Sequence, residues 1–126
     1  MKNIPFIKIS AKTNYELGFK IGKKLKNNIK RRITACKKLY SAMGIKNFSA
    51  LEDKAMEFLP DTAKHFPDLV VEAEGLSRGA DVKFEEIMVL MCEEEIIDLK
   101  IPKCTSIAIK NKDGILIGHN EDWLTS

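Results

Sequence analysis

The periodicity of the chain changes once, at Pro102, and this change constrains the fold more than any other feature. Before it, apolar residues recur at three- and four-residue spacing; after it, they come in short β-branched runs. Thr105-Ser106-Ile107-Ala108-Ile109-Lys110 reads as a strand, Lys112-Asp113-Gly114 as a turn and Ile115-Leu116-Ile117-Gly118 as a second strand. Helical segments followed by one hairpin predict an α+β chain. A two-stranded hairpin is marginal on its own in water, and these strands are apolar enough for the interior of a larger sheet. The expectation is therefore a fragment, or a hairpin completed by another copy or another chain.

The helical part begins with a long basic segment. Thr13 followed by Glu16 has the spacing of a capping box, in which hydroxyl and carboxylate each satisfy an orphan backbone N–H. Leu17, Ile21, Leu25, Ile29, Ile33, Cys36, Tyr40 and Met43 then form one apolar stripe, and Gly44 stands where a terminating glycine belongs. Cys36 on that stripe reads as a small buried hydrophobe. Ser49 with Glu52 predicts a second start, with a stop near Pro60. About one turn fits before Pro67, which suits the first position of a helix running towards Ser77 and closed by Gly79. A further helix is expected from near Asp81, ending before Pro102 with Phe84, Ile87, Met88 and Met91 on its apolar face. His65 has no second His or Cys at ligand spacing and reads as an ordinary histidine. Glu93-Glu94-Glu95 reads as a solvated patch.

At 126 residues the chain suits one modest domain. Hydrophobic residues at 44% and charged residues at 31% exclude low-complexity disorder and collagen-like repeats. No apolar run is long enough for a transmembrane helix, and the start has neither the apolar core nor the cleavage site of a signal peptide. Three cysteines, an odd number without a close pair, argue against a disulfide scaffold or a zinc site and for a reducing, cytoplasmic setting. The net charge of +3 hides an asymmetry. Residues 1–46 hold 13 Lys/Arg against one acid, and residues 47–126 hold 8 against 17. The basic half lies against the acidic half, is simply a solvated face, or faces an acidic or nucleic-acid partner. No nucleic-acid module accompanies the charge, and the helix lacks the aromatic anchors of membrane-surface helices, so neither partner is expected.

Beyond these readings, Cys104-Thr105-Ser106-Ile107-Ala108-Ile109, the turn at Asp113-Gly114, and Gly118-His119-Asn120-Glu121-Asp122-Trp123 resemble the nucleophile region of one enzyme group. This is the acyl-CoA:6-aminopenicillanic acid acyltransferase family, the C45 peptidase-like branch of the N-terminal nucleophile (Ntn) hydrolases. The resemblance extends upstream. Glu16-Leu17-Gly18 with Gly22 is similar to the family's first helix. His65-Phe66-Pro67-Asp68-Leu69 with Glu72, Glu74-Gly75 and Gly79-Ala80-Asp81-Val82 is similar to its next conserved stretch, and Phe84-Glu85-Glu86-Ile87 to the helix that follows.

What the resemblance implies is specific. The precursor would cut its own bond at Lys103–Cys104, dividing the chain into a helical segment, 1–103, and the start of a catalytic β-chain, 104–126. This would be the first hairpin of an incomplete αββα sandwich. The freed α-amine, with a pKa of about 7.7–8.0, would serve as base for the adjacent thiol. Cys104 would form a thioester, released by water or by an amine. Asp122 matches the family's acidic residue at the far end of the hairpin and would orient the amine, while Asn120 would line the site. Lys103 departs from the glycine of the penicillin-forming acyltransferase, and lysine tolerates strained backbone less well. The chemistry calls for no cofactor and no metal. The expected partners are a small acyl amide or acyl-CoA thioester and the remainder of the polypeptide, with a second copy of the chain also to be considered. The alternative is a non-catalytic fragment or binding module that uses the basic amphipathic helix against an acidic partner.

Overall fold

The computed structural model describes residues 6–96, 105–112 and 114–120. It divides into two compact units, Met1–Ile96 and Ile97–Ser126. Among the described residues the first is helical and the second is a two-stranded antiparallel sheet, an α+β content.

The first unit is organised by α1 (Asn14–Ala42). Thr13 caps it, its hydroxyl accepting from the Glu16 N–H at 3.1 Å. The reciprocal arm differs from the expected box by one residue, since the Glu16 carboxylate accepts from the Lys12 N–H at 2.7 Å. At the other end Gly44 takes φ +87°. The Ile45 N–H then reaches the Tyr40 carbonyl and the Gly44 N–H the Ser41 carbonyl, satisfying two orphan acceptors.

Helices α2 (Phe48–Glu57) and α3 (Leu59–His65) follow with one residue between them. The cap of α2 is Asn47, whose side chain accepts from the Ser49 N–H at 3.2 Å; Ser49, the expected cap, lies inside the helix. Glu52 is thereby released from capping and pairs instead with Lys83 at 3.4 Å. Helix α2 ends at Glu57, near Pro60 as expected, and Pro60 itself sits in the first turn of α3, where its missing N–H costs nothing. Pro67 opens α4 (Pro67–Ala80) as expected. Gly79 does not close that helix. It lies within it, and Asp81 takes the left-handed position at φ 56°.

The reason for Gly79 is tertiary. Gly18 and Gly22 of α1 face Gly75 and Gly79 of α4, and a Cβ at any of the four would lie 1.9–2.2 Å from a carbonyl oxygen of the opposite helix. The pairings ascend together along both helices, so α1 and α4 run side by side in the same direction with their backbones touching. The farther half of α1 packs through side chains. Ile33, Cys36 and Tyr40 are buried, and Tyr40 stacks on Phe48 with ring centroids 6.2 Å apart. Helices α5 (Phe84–Met91) and α6 (Glu93–Ile96) add Ile87, Met88, Val89 and Ile96 to this core.

In the second unit β1 (Thr105–Asn111) and β2 (Gly114–Asn120) pair in antiparallel register from Thr105↔Asn120 to Asn111↔Gly114. A two-residue connection joins them, and Gly114 has φ +140°. Opposite residues share a face. One face carries Thr105, Ile107, Ile109, Leu116, Gly118 and Asn120; the other carries Ser106, Ala108, Lys110, Ile115, Ile117 and His119. Both faces are apolar in their middles, as the sequence predicts for a sheet strand covered on two sides.

Candidate active site

The expected nucleophile Cys104, the cleavage-site residue Lys103 and the acid Asp122 lie outside the described residues. Asn120, the expected site-lining residue, ends β2 directly across from Thr105 and is exposed. The hairpin therefore brings together the residue that follows Cys104 in the chain and the residue two before Asp122.

One step along, Ser106 and His119 are also paired across the strands. The Ser106 Oγ lies 2.8 Å from His119 Nδ1. With Nδ1 unprotonated the hydroxyl donates to the ring; in the other tautomer the ring donates to the hydroxyl. By sequence Ser106 reads as a strand residue. The signal that finds the pair is the turn: a two-residue connection at 112–113 forces 106 opposite 119 and 105 opposite 120.

The helical unit holds a second concentration of polar groups. Glu93, at the start of α6, accepts from Arg32 Nη2 at 2.5 Å and from the Tyr40 hydroxyl at 2.6 Å, and the Cys36 thiol lies 3.4 Å away. Arg32 Nη1 reaches the same sulfur at 2.7 Å. Burial, then the Glu93 charge, pushes the Cys36 thiol up to about 11, and burial with the Glu93 hydrogen bond also raises Tyr40. Both groups are therefore held protonated, which makes Cys36 a poor nucleophile. Glu93 does not belong to a solvated patch; its carboxylate is the hub of this cluster.

The basic helix is partly answered by carboxylates of the acidic half. Lys26 and Lys30 meet Asp81 at 3.1 and 3.0 Å, Lys37 meets Glu86 at 2.6 Å, and Arg32 meets Glu93. Hydrogen bonds from Lys30 and Lys26 hold the Asp81 carboxyl below its usual range. His65 is exposed at the end of α3. Among the described residues no three metal-ligating side chains gather, and no helix is long and apolar enough to cross a membrane.

No protein-family model matches the chain. The chain is 27% identical, over 124 residues and 90% of its own length, to the beta-alanyl-dopamine/carcinine hydrolase of Drosophila melanogaster. It spans 32% of that protein. With 90% of the chain matched, about 13 residues fall outside, so the matched stretch enters both units and takes in the Cys104 position wherever its ends lie. The likeness supports the Ntn-hydrolase resemblance at the level of the superfamily.

Proposed function

We propose that the chain is the N-terminal part of an autoprocessing cysteine Ntn amidase or acyltransferase whose complete form is an αββα sandwich. The observation that carries the reading is the hairpin register. Thr105, which follows Cys104 in the chain, pairs with Asn120, which precedes Asp122 by two residues, at one end of the hairpin. A nucleophile and the acid that orients its amine require that proximity. The apolar faces of both strands support the sandwich, because each would meet a layer of the complete fold. The relative's name supports the reaction type: it is a hydrolase of a β-alanyl conjugate, which makes acyl amides the first substrate class to try.

In this mechanism the α-amine freed at Cys104 takes the thiol proton while sulfur attacks the acyl carbon. The amine leaving group departs with a proton, and the thioester passes its acyl group to water or to an acceptor amine. Nucleophile and base belong to one residue, so no cofactor is needed. The reducing compartment inferred from the cysteine count keeps that thiol available.

The test uses protein expressed from the full reading frame, offered acyl amides and acyl thioesters. The expected result is a covalent acyl adduct on the peptide that begins at Cys104, with turnover falling at least about a thousandfold in Cys104→Ala. Asp122→Asn should lose about ten- to a hundredfold. Turnover that survives Cys104→Ala refutes the proposal.

A further inference from the structure

Between Glu16 and Glu52 the chain holds no acid, so the cations of α1 beyond its second turn can be answered only from other elements. The structure sorts those cations into two sets. Lys26 and Lys30 meet Asp81, Arg32 meets Glu93 and Lys37 meets Glu86, on either side of the buried stripe. Lys24, Arg31 and Lys38 are exposed and meet no carboxylate among the described residues; Arg31 donates instead to Asn28 Oδ1, at 3.2 Å. These three are seven residues apart. At about 1.5 Å per residue they stand about 10.5 Å from one another, in a row on the side of α1 opposite Gly22, Ile33 and Tyr40. Short uncharged side chains lie between them. Asn27, Thr34 and Ala35, with Lys30, Arg31 and Lys38, line an open cleft of about 510 Å³, so the row is a trough between cations.

We infer that the row Lys24, Arg31 and Lys38 docks an acidic α-helix of a partner protein, one that carries carboxylates at seven-residue spacing. Such a helix repeats its carboxylates at the same interval of about 10.5 Å, so an ion pair forms at each cation in a single register. The small side chains at Thr34 and Ala35 leave room for a carboxylate to enter between Arg31 and Lys38. Other anionic surfaces match the row less well. Duplex DNA presents a phosphate about every 3.4 Å along each strand, about three times as dense as these cations. A helix that lies on a membrane buries an apolar face, and no large apolar side chain lines this cleft. Exposed ion pairs are individually weak and screened by salt, so the docking is electrostatic and readily reversed.

The probe is a labelled three-heptad helical peptide with Glu at every seventh position, titrated by fluorescence anisotropy into protein expressed from the full reading frame at low and at physiological salt. Lys24→Glu, Arg31→Glu and Lys38→Glu together should weaken binding at least about tenfold. A peptide with Lys in place of those Glu residues should bind the reversed variant and not wild type. Reversal of Lys46, Lys54 and Lys64, which are exposed away from α1, controls for net charge and should leave binding within about twofold. Circular dichroism checks that both variants fold; if the reversal unfolds α1, the three Gln substitutions replace it, with a loss of about fivefold expected. Equal losses in the row and control variants, or equal binding of a peptide whose three Glu residues are adjacent, would make the row a surface for any polyanion and overturn the inference. Tighter binding to a short DNA duplex or to phosphatidylserine vesicles would also overturn it. So would a wild type that does not bind the peptide, and a melting temperature lowered by the reversal would then show the row to be covered within the chain itself.

Discussion

In the helical unit Ile33, Ile87, Met88 and Val89 are 5% exposed or less, whereas Ile115, Leu116 and Ile117 in the hairpin are 69, 66 and 75% exposed. The residue types are the same, and the difference lies in what each unit can do with them. Helices present stripes that other helices of the same unit can cover, and α1 and α4 go further by bringing their backbones into contact through glycine. A two-stranded ribbon has two faces and no second layer of its own. Its register is set by the turn and its ladder, independently of burial. The helical unit therefore carries its packing partners within itself, while the hairpin carries its own register and leaves its apolar residues exposed.

The comparison breaks most easily at the glycine contact. Gly75→Val would place side-chain atoms where the Tyr15 carbonyl oxygen lies, 2.2 Å from the first added carbon. Both helices would have to separate, so urea denaturation followed by circular dichroism should show a loss of about 4 kcal/mol or more. A loss under about 1 kcal/mol would mean that the two backbones do not touch.

Next in size is Glu93→Ala. It strips the acceptor from Arg32, Tyr40 and Cys36 together, and a broken cluster of this kind costs about 3 kcal/mol. The exposed neighbour Glu94 supplies the control, since Glu94→Ala should stay within about 0.5 kcal/mol. Equal effects would return Glu93 to the solvated patch that the sequence suggests.

The same cluster has a pH signature. The Cys36 thiol is raised from 9.0 to about 11 on folding. Between those values the unfolded chain binds fewer protons than the folded one, so stability is complete below pH 9 and falls as pH rises towards 11. The raised Tyr40 adds to the fall with the same sign at still higher pH. Cys36→Ala should flatten the part of the slope between pH 9 and 11 in pH-dependent unfolding; an unchanged slope would contradict the assignment.

The smallest effect belongs to the hairpin. Ile117→Ser should change the stability of this chain by no more than about 0.5 kcal/mol, because the side chain is three-quarters exposed. In protein from the full reading frame the same substitution should cost about 2–3 kcal/mol, the worth of a buried isoleucine. Equal small effects in both would count against the sandwich.

Features with a local cause were legible in the sequence. Thr13, Gly44 and Pro67 act on the backbone within a few residues of themselves, and the hairpin turn dictates its own register. Local chemistry also offers rivals, and at the second helix Asn47 wins the capping position from Ser49 because its side chain reaches the Ser49 N–H. Gly79 misled for a different reason. A glycine inside a helix reads as a weakness or a stop, and its purpose here lies on another helix about 57 residues away. Glu93 was misread in the same way, since its partners are on α1. For the proposed site, resemblance alone names Cys104, Asp122 and Asn120. Ser106 and His119 were legible through turn geometry, although composition alone made them ordinary strand residues.

The most direct test of the central claim is the intact mass of protein expressed from the full reading frame, with Cys104→Ala beside it. Self-processing predicts two fragments meeting between Lys103 and Cys104 in wild type and one uncut chain in the variant. A single uncut chain in both, or fragments that persist in Cys104→Ala, would contradict Cys104 as the processing nucleophile.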